Sequence, residues 1–190
     1  MSVHLNLNWS GEPNARVTGA VYLLYFLTAV LAQTFVSWKL VFYGNAVNVI
    51  AFAFYMLLTL LFYFMFKPVN RMLSLLAALI SLAGSIIGLL DLFDLAPPKL
   101  SPLLFFGPYC LLIGFLILRS TFLPGALGCL MMLAGLGWLA FLSPPIANHL
   151  SLYIEILGVV AEASLMFWLL VKGVNVPRWK EQARSASIGT

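Results

Sequence analysis

Six long apolar runs, separated by short polar breaks, make up most of this chain. About twenty consecutive apolar residues cross a bilayer as a helix. The runs cover residues 17–37, 46–66, 72–93, 102–118, 124–142 and 150–171, numbered here as spans 1 to 6. Each is too long and too uniformly apolar for a tilted barrel strand, so helices are predicted. The breaks carry turn chemistry. In KPVNR (67–71) Pro68 stops a helix; DLAPPKLSP (94–102) is a Pro-rich loop; RSTFLPG (119–125) puts Pro124 at a first helical position; SPPIANH (143–149) closes span 5. Connections this short make consecutive spans antiparallel neighbours. The expected fold is all-α: an integral membrane bundle of six transmembrane helices. Residues 1–16 form a polar cytoplasmic N-terminus, 17–172 the transmembrane domain and 173–190 a polar cytoplasmic tail. The first sixteen residues do not read as a cleavable signal peptide, because the apolar stretch behind them is too long for a signal h-region. The tail WKEQARSASIGT reads as frayed. No internal repeat is evident.

Charge gives the orientation. With six spans, Arg16, Lys67, Arg71, Arg119, Lys172, Arg178, Lys180 and Arg184 fall on one side, and only Lys39 and Lys99 on the other. Basic residues concentrate on the cytoplasmic side, so both termini are expected there. Trp9, Trp38, Tyr43 and Trp179 fall near the expected interfaces.

Composition agrees. The 190 residues are 63% hydrophobic and 8% charged, with a mean hydropathy of +1.03. A soluble domain carries about a quarter charged residues, and so short a chain could not hide this much apolar surface. The lipid bilayer is the first expected partner. Nucleic acid is not expected, because the basic residues stand singly at span ends. Cys110 and Cys129 lie inside spans and read as small apolar core residues, not as a disulfide or a metal site. No cofactor is expected.

Small residues mark packing faces. Ser74, Ala78, Ser81, Gly84, Gly88 and Asp91 form a stripe on span 3, and Gly125, Gly128 and Gly135 a similar one on span 5. Close backbone approach at small residues drives helix association in lipid. Span 3 is therefore expected at the centre of the bundle.

The informative polar residues are in span 6. Ser151, Glu155, Gly158 and Glu162 follow steps of four, three and four, which is one helix face. The two carboxyls are about 10 Å apart along the axis. Each costs on the order of 3 kcal/mol to insert, so both are expected to point into the bundle, Glu155 in the outer half and Glu162 near mid-depth. Gln33, Asn45, Asn48, Tyr55, Thr59, Asp91, Asp94, Tyr153 and the loop residue His149 share the outer half. If their faces converge, they line an outward-open polar pocket with Glu162 as its floor. The ligand or proton candidates are Glu162, Glu155, Asn48, Asn45, Gln33, Asp91 and Tyr55. Gly107-Pro108 is expected to bend span 4 and free a carbonyl near this level. Glu162 has a competing reading, as a protonated side chain hydrogen-bonded across the bundle for packing.

Motifs for known chemistries are missing: HExxH, GxSxG, a P-loop and a dinucleotide fingerprint. His4 and His149 fall on opposite expected sides of the membrane.

Four stretches together resemble a bacterial family of polytopic membrane proteins catalogued as domain of unknown function 4386: ARVTGAVYLLYFL (15–27), FKPVNR (66–71), LRSTFLPGALG (118–128) and EASLMFWLLVKGVN (162–175). The family pattern has a glutamate before its final WLL-x-x-G stretch, and Glu162 occupies that position. The segment joining spans 1 and 2, WKLVFYGN, is short. The resemblance implies a bacterial cytoplasmic (inner) membrane protein and brings no activity.

Three function classes compete. One is a small-solute or proton-linked transporter or binding protein, with an unknown small molecule as partner. The second is a structural or accessory protein that works on a membrane-protein partner through its helix faces or tail. The third is an intramembrane acid–base enzyme, which needs a second acid, Asp91 or Asp94, within reach of Glu155.

Overall fold

The computed structural model describes residues 14–97 and 100–188. His4, Trp9 and Lys99 lie outside the described residues. Among those described there are seven helices and no strand: α1 (Ala15–Ser37), α2 (Val41–Phe66), α3 (Arg71–Asp91), α4 (Leu103–Arg119), α5 (Gly125–Ala140), α6 (Pro144–Val171) and α7 (Val176–Ile188). Four are long and apolar enough to cross a membrane: α1, α2, α3 and residues 149–171 of α6. Helices α4 and α5 are apolar but shorter, at 17 and 16 residues. Leu27, Val30, Phe64, Leu79, Leu136 and Phe167 are among many large apolar side chains exposed on the outside of these helices. Apolar surface on this scale belongs in lipid.

Helices α1 to α6 close into a ring. Each packs on its neighbours in the chain, and α6 returns to α1. Residue pairs fix the antiparallel sense. Thr59 faces Ser81 and Tyr63 faces Ser74 across α2 and α3; Gly114 faces Gly128 and Gly107 faces Gly135 across α4 and α5; Gly19 faces Leu170 across α1 and α6.

Of the α5 glycine stripe, Gly128 and Gly135 pack as their spacing predicts, whereas Gly125 is exposed and makes no close approach. A Cβ on Gly128 would stand 2.7 Å from the Gly114 carbonyl oxygen, and one on Gly135 2.9 Å from that of Gly107. Backbone therefore meets backbone along this seam. The α3 stripe also faces inward, with Ser74, Ala78, Ser81 and Gly88 buried. Helix α3 is nevertheless not central: it is one stave between α2 and α4. Small residues shorten the distance to a neighbour, which a stave needs as much as a hub does. Helix α4 runs through Pro108 without a break.

Helix boundaries follow local chemistry. Asn70 caps α3, its Oδ1 accepting from the Leu73 N–H at 2.9 Å. Helix α6 starts six residues before the expected span, because Pro144 and Pro145 occupy its first turn, where no N–H is needed. His149 is thus helical and exposed, with Nδ1 2.9 Å from the Pro145 oxygen, and is not a loop residue. Gly173 ends α6 in the left-handed region, with φ +72° and its N–H bonded to the Trp168 oxygen at 2.9 Å.

The tail departs from expectation. Residues 176–188 form α7, capped by Asn175, whose Oδ1 accepts from the Arg178 N–H at 3.2 Å. Trp179 is buried instead of lying at an interface, and its indole N–H donates to the Met65 oxygen at 2.9 Å. Gln182 accepts from the Thr121 N–H at 3.1 Å and donates to the Arg119 oxygen at 3.3 Å. These bonds tie α7 to the end of α2 and the α4–α5 turn. An amphipathic segment with one buried aromatic anchor has packing energy that a polar composition conceals.

Candidate functional site

Glu162 is buried on the inner face of α6, only 7% exposed. Its Oε2 accepts a hydrogen bond from the Tyr22 hydroxyl of α1 at 3.0 Å. The pair lies at the α1–α6 closure of the ring, just above the close approach of Gly19 to Leu170. From Tyr22 an aromatic cluster runs on: the Tyr22 ring centroid is 6.3 Å from Tyr25, Tyr25 is 4.9 Å from Tyr55, and Tyr55 is 6.1 Å from Tyr109. Cys110 is buried in the same core, whereas Cys129 is exposed and is not a core residue.

Glu155 departs from expectation. It is exposed, although it stands almost directly above Glu162 on the helix. The reason is the course of the α1–α6 seam. On α1, residues Thr18, Gly19, Val21 and Tyr22 are buried, and further out only Ala32 is. Further along the Tyr22 face of α1, Tyr25, Phe26 and Ala29 are only half-buried. Packed helices cross at an angle, so a seam closed at one end opens towards the other. Glu155 and Gln33, also exposed, belong to the open part.

The other predicted residues scatter. Asn45 is half-buried and donates to the Leu92 oxygen at 3.3 Å, tying α2 to the end of α3. Asn48 is half-buried. Asp91 and Asp94 are exposed, Asp94 in a turn with φ 57°. Tyr153 is exposed at 69%. Helices α3 and α6 are not neighbours in the ring, so neither aspartate sits on the helix beside Glu155. Thr59 is buried, 2.7 Å from the Ser81 hydroxyl.

The half of the bundle that was expected to hold the pocket does contain a cavity, of about 250 Å³. Its walls are aromatic where polar ones were expected: Tyr25, Phe52, Tyr55, Phe105, Phe106 and Trp138 line it, with Ser81, Gly84 and Ser85 of α3 opposite. Tyr55 is the one predicted candidate among them. Glu162 does not line the cavity; Tyr25 does, and its ring neighbours that of Tyr22, the partner of Glu162. Sequence reasoning passed over Tyr22, Tyr25, Tyr109 and Trp138. A signal was present, since three of the tyrosines stand mid-span, away from the interfacial belts where such rings usually collect.

These features define a helical membrane bundle with a buried acid–tyrosine pair beneath an aromatic cavity. Residues 99–173 match the family described as Domain of unknown function (DUF4386). The resemblance read from the sequence therefore holds over that segment, which takes in LRSTFLPGALG and Glu162. The segments ARVTGAVYLLYFL and FKPVNR lie outside it. An uncharacterized protein of Archaeoglobus fulgidus is 29% identical over 124 residues, covering 58% of this chain and 72% of that one. That relative is archaeal, whereas the resemblance implied a bacterial source. No solved structure matches the chain.

Proposed function

We propose that this chain is a multi-pass membrane protein of the solute-binding or transporter type, in which the Glu162–Tyr22 pair holds a proton or meets the solute. The observation that carries this reading is the burial of Glu162 against a neutral partner, 3.0 Å away, at the closure of the ring. A carboxyl group inside a membrane bundle is costly, and such groups mark solute and proton paths by default. In this reading all six helices cross the membrane. At about 1.5 Å per residue, α4 and α5 reach roughly 25 Å, and local thinning of the bilayer accommodates the shortfall. Both termini lie in the cytoplasm and the protein resides in a prokaryotic cytoplasmic (inner) membrane, which the placement of basic residues supports.

Proteoliposomes loaded with a pH-sensitive dye test the proposal. A panel of small solutes is screened for one that drives proton uptake in the wild type. Loss of that response in Glu162→Gln, with normal folding, is the expected result. An undiminished response in the variant overturns the reading.

The accessory reading draws on α7. Its anchored side holds Trp179, while Arg178 and Glu181 are exposed on a docked helix that a protein partner could grip.

A further inference from the structure

One end of the ring is closed by aromatic side chains. Phe66, at the end of α2, stacks on Phe122 of the α4–α5 turn, 6.1 Å between centroids. Helix α2 packs on α1 and α3, so this pair reaches across the middle of the ring. Trp179 of α7 is seated beside it. Its indole N–H donates to the oxygen of Met65, next to Phe66, and the Asn175 N–H donates to the oxygen of Phe122 at 3.2 Å. Phe66, Phe122 and Trp179 are buried in one core. From the pair a line of rings leads to the acid: Phe66 is 5.9 Å from Phe62, and Phe62 is 5.9 Å from Tyr22, the partner of Glu162. The hold on α7 is nevertheless slight. It makes no extended packing with any of the six helices. Apart from the indole bond, its side-chain bonds to Arg119 and Thr121 are exposed, where water competes for them. Residues 172–175 join it to α6 outside either helix, and Gly173 among them has φ +72°, a backbone state that glycine takes without strain.

We propose that α7 is a hinged latch over this end of the ring. With Trp179 seated, the core is sealed. When α7 swings out on Gly173, the Phe66–Phe122 pair parts, and water and solute reach Glu162 from that side. Elements that open are drawn from the weakly held parts of a fold, and hinges are a few loop positions that absorb the change in backbone angles. Helix α7 and its joint meet both conditions. A single buried indole gives the latch one point of release, which a helix packed along its whole length would not have. The aromatic cavity lies toward the opposite end of the helices, with Leu103 at the start of α4 and Ser85 near the end of α3 in its wall. The core is thus hollow toward one end and shut at the other, as a path with one closed gate would be. This inference rests on the solute-binding reading and adds its gate; it does not require Glu162 to exchange a proton.

Cys110 reports the opening, because its thiol is buried in the same core. In the full chain in liposomes, with Cys129→Ser as background, a water-soluble maleimide should modify Cys110 slowly. Trp179→Ala should raise that rate by roughly a hundredfold, the population shift that loss of a buried aromatic ring brings. Thr121→Cys with Gln182→Cys allows a short bifunctional crosslinker to pin α7 to the α4–α5 turn. The pinned chain should label at Cys110 more slowly than the unpinned one. Pinning should also return Trp179→Ala towards the wild-type rate, which general unfolding would not allow. Cys110 that stays unreactive in Trp179→Ala, after protease shows α7 released, overturns the inference. Labelling that pinning leaves unchanged overturns it too. Glu162→Gln separates the two proposals. Latch-dependent labelling alongside unaltered proton uptake in that variant leaves the latch standing and removes the proton role. Labelling indifferent to α7 removes the latch and leaves the proton role to its own test.

Discussion

Tyr22 and Glu162 are 140 positions apart in the chain and joined by one hydrogen bond of 3.0 Å across the α1–α6 seam. Tyr22→Phe removes that bond and nothing else of its size. Interhelical hydrogen bonds within membranes contribute about 0.6 kcal/mol on average and about 1.7 at most. The variant should unfold within that margin of the wild type in a denaturant titration in bicelles. Glu162→Gln keeps an accepting oxygen and should cost less. A loss of several kcal/mol in either would mean the pair holds more of the ring together than one bond.

Tyr55→Phe should behave in the opposite way. Its hydroxyl is buried without a partner, so removing it relieves an unmet group. The ligand-free variant should be as stable as the wild type or more so, by up to about 1 kcal/mol. A clear loss of thermal stability would show that the hydroxyl has a partner after all.

The α4–α5 seam should tolerate no side chain at its points of closest approach. Gly114→Val puts atoms where the Gly128 carbonyl already lies 2.7 Å from a Cβ position, and the helices must part. A loss of roughly 1–3 kcal/mol or more is expected. Gly125→Ala is the control: its nearest neighbour, a Leu118 methyl, would be 3.6 Å away. Equal losses in the two variants would refute close packing as the cause.

Trp179 should be the anchor of α7. Trp179→Ala removes a buried ring and its bond to the Met65 oxygen, an aromatic truncation that costs about 3–5 kcal/mol in a packed core. Helix α7 should then undock and become sensitive to protease, while the ring of six helices keeps its fold. Unchanged protease resistance would refute the anchoring role.

Most of the helix pattern was legible in the sequence because run length and turn residues are local signals. The breaks at Pro68, Pro124 and Pro144 fall where the helices stop or start. What the pattern could not carry was rotation. Glu155 and Glu162 share a face by spacing, yet only one is enclosed, because enclosure depends on how far α1 follows α6. Helix α7 was hidden for a related reason. Its stability comes from a single buried indole and from bonds to α2 and the α4–α5 turn, and long-range partners leave no mark in local composition. The aromatic cavity was missed because Trp138 and the mid-span tyrosines look like ordinary apolar filling until the helices that carry them are brought together.

Among the described residues, one main seam of the ring joins non-consecutive helices, α1 with α6. During synthesis every other seam can zip as soon as the next hairpin emerges. This one must wait for the sixth helix. Tyr22, made early, stands without its acceptor through the addition of four further helices, and Glu162 meets its donor only as the barrel of staves shuts. Closure is then the late step of assembly, and a nascent chain stalled before α6 would leave the phenol facing lipid, a recognisable target for membrane quality control.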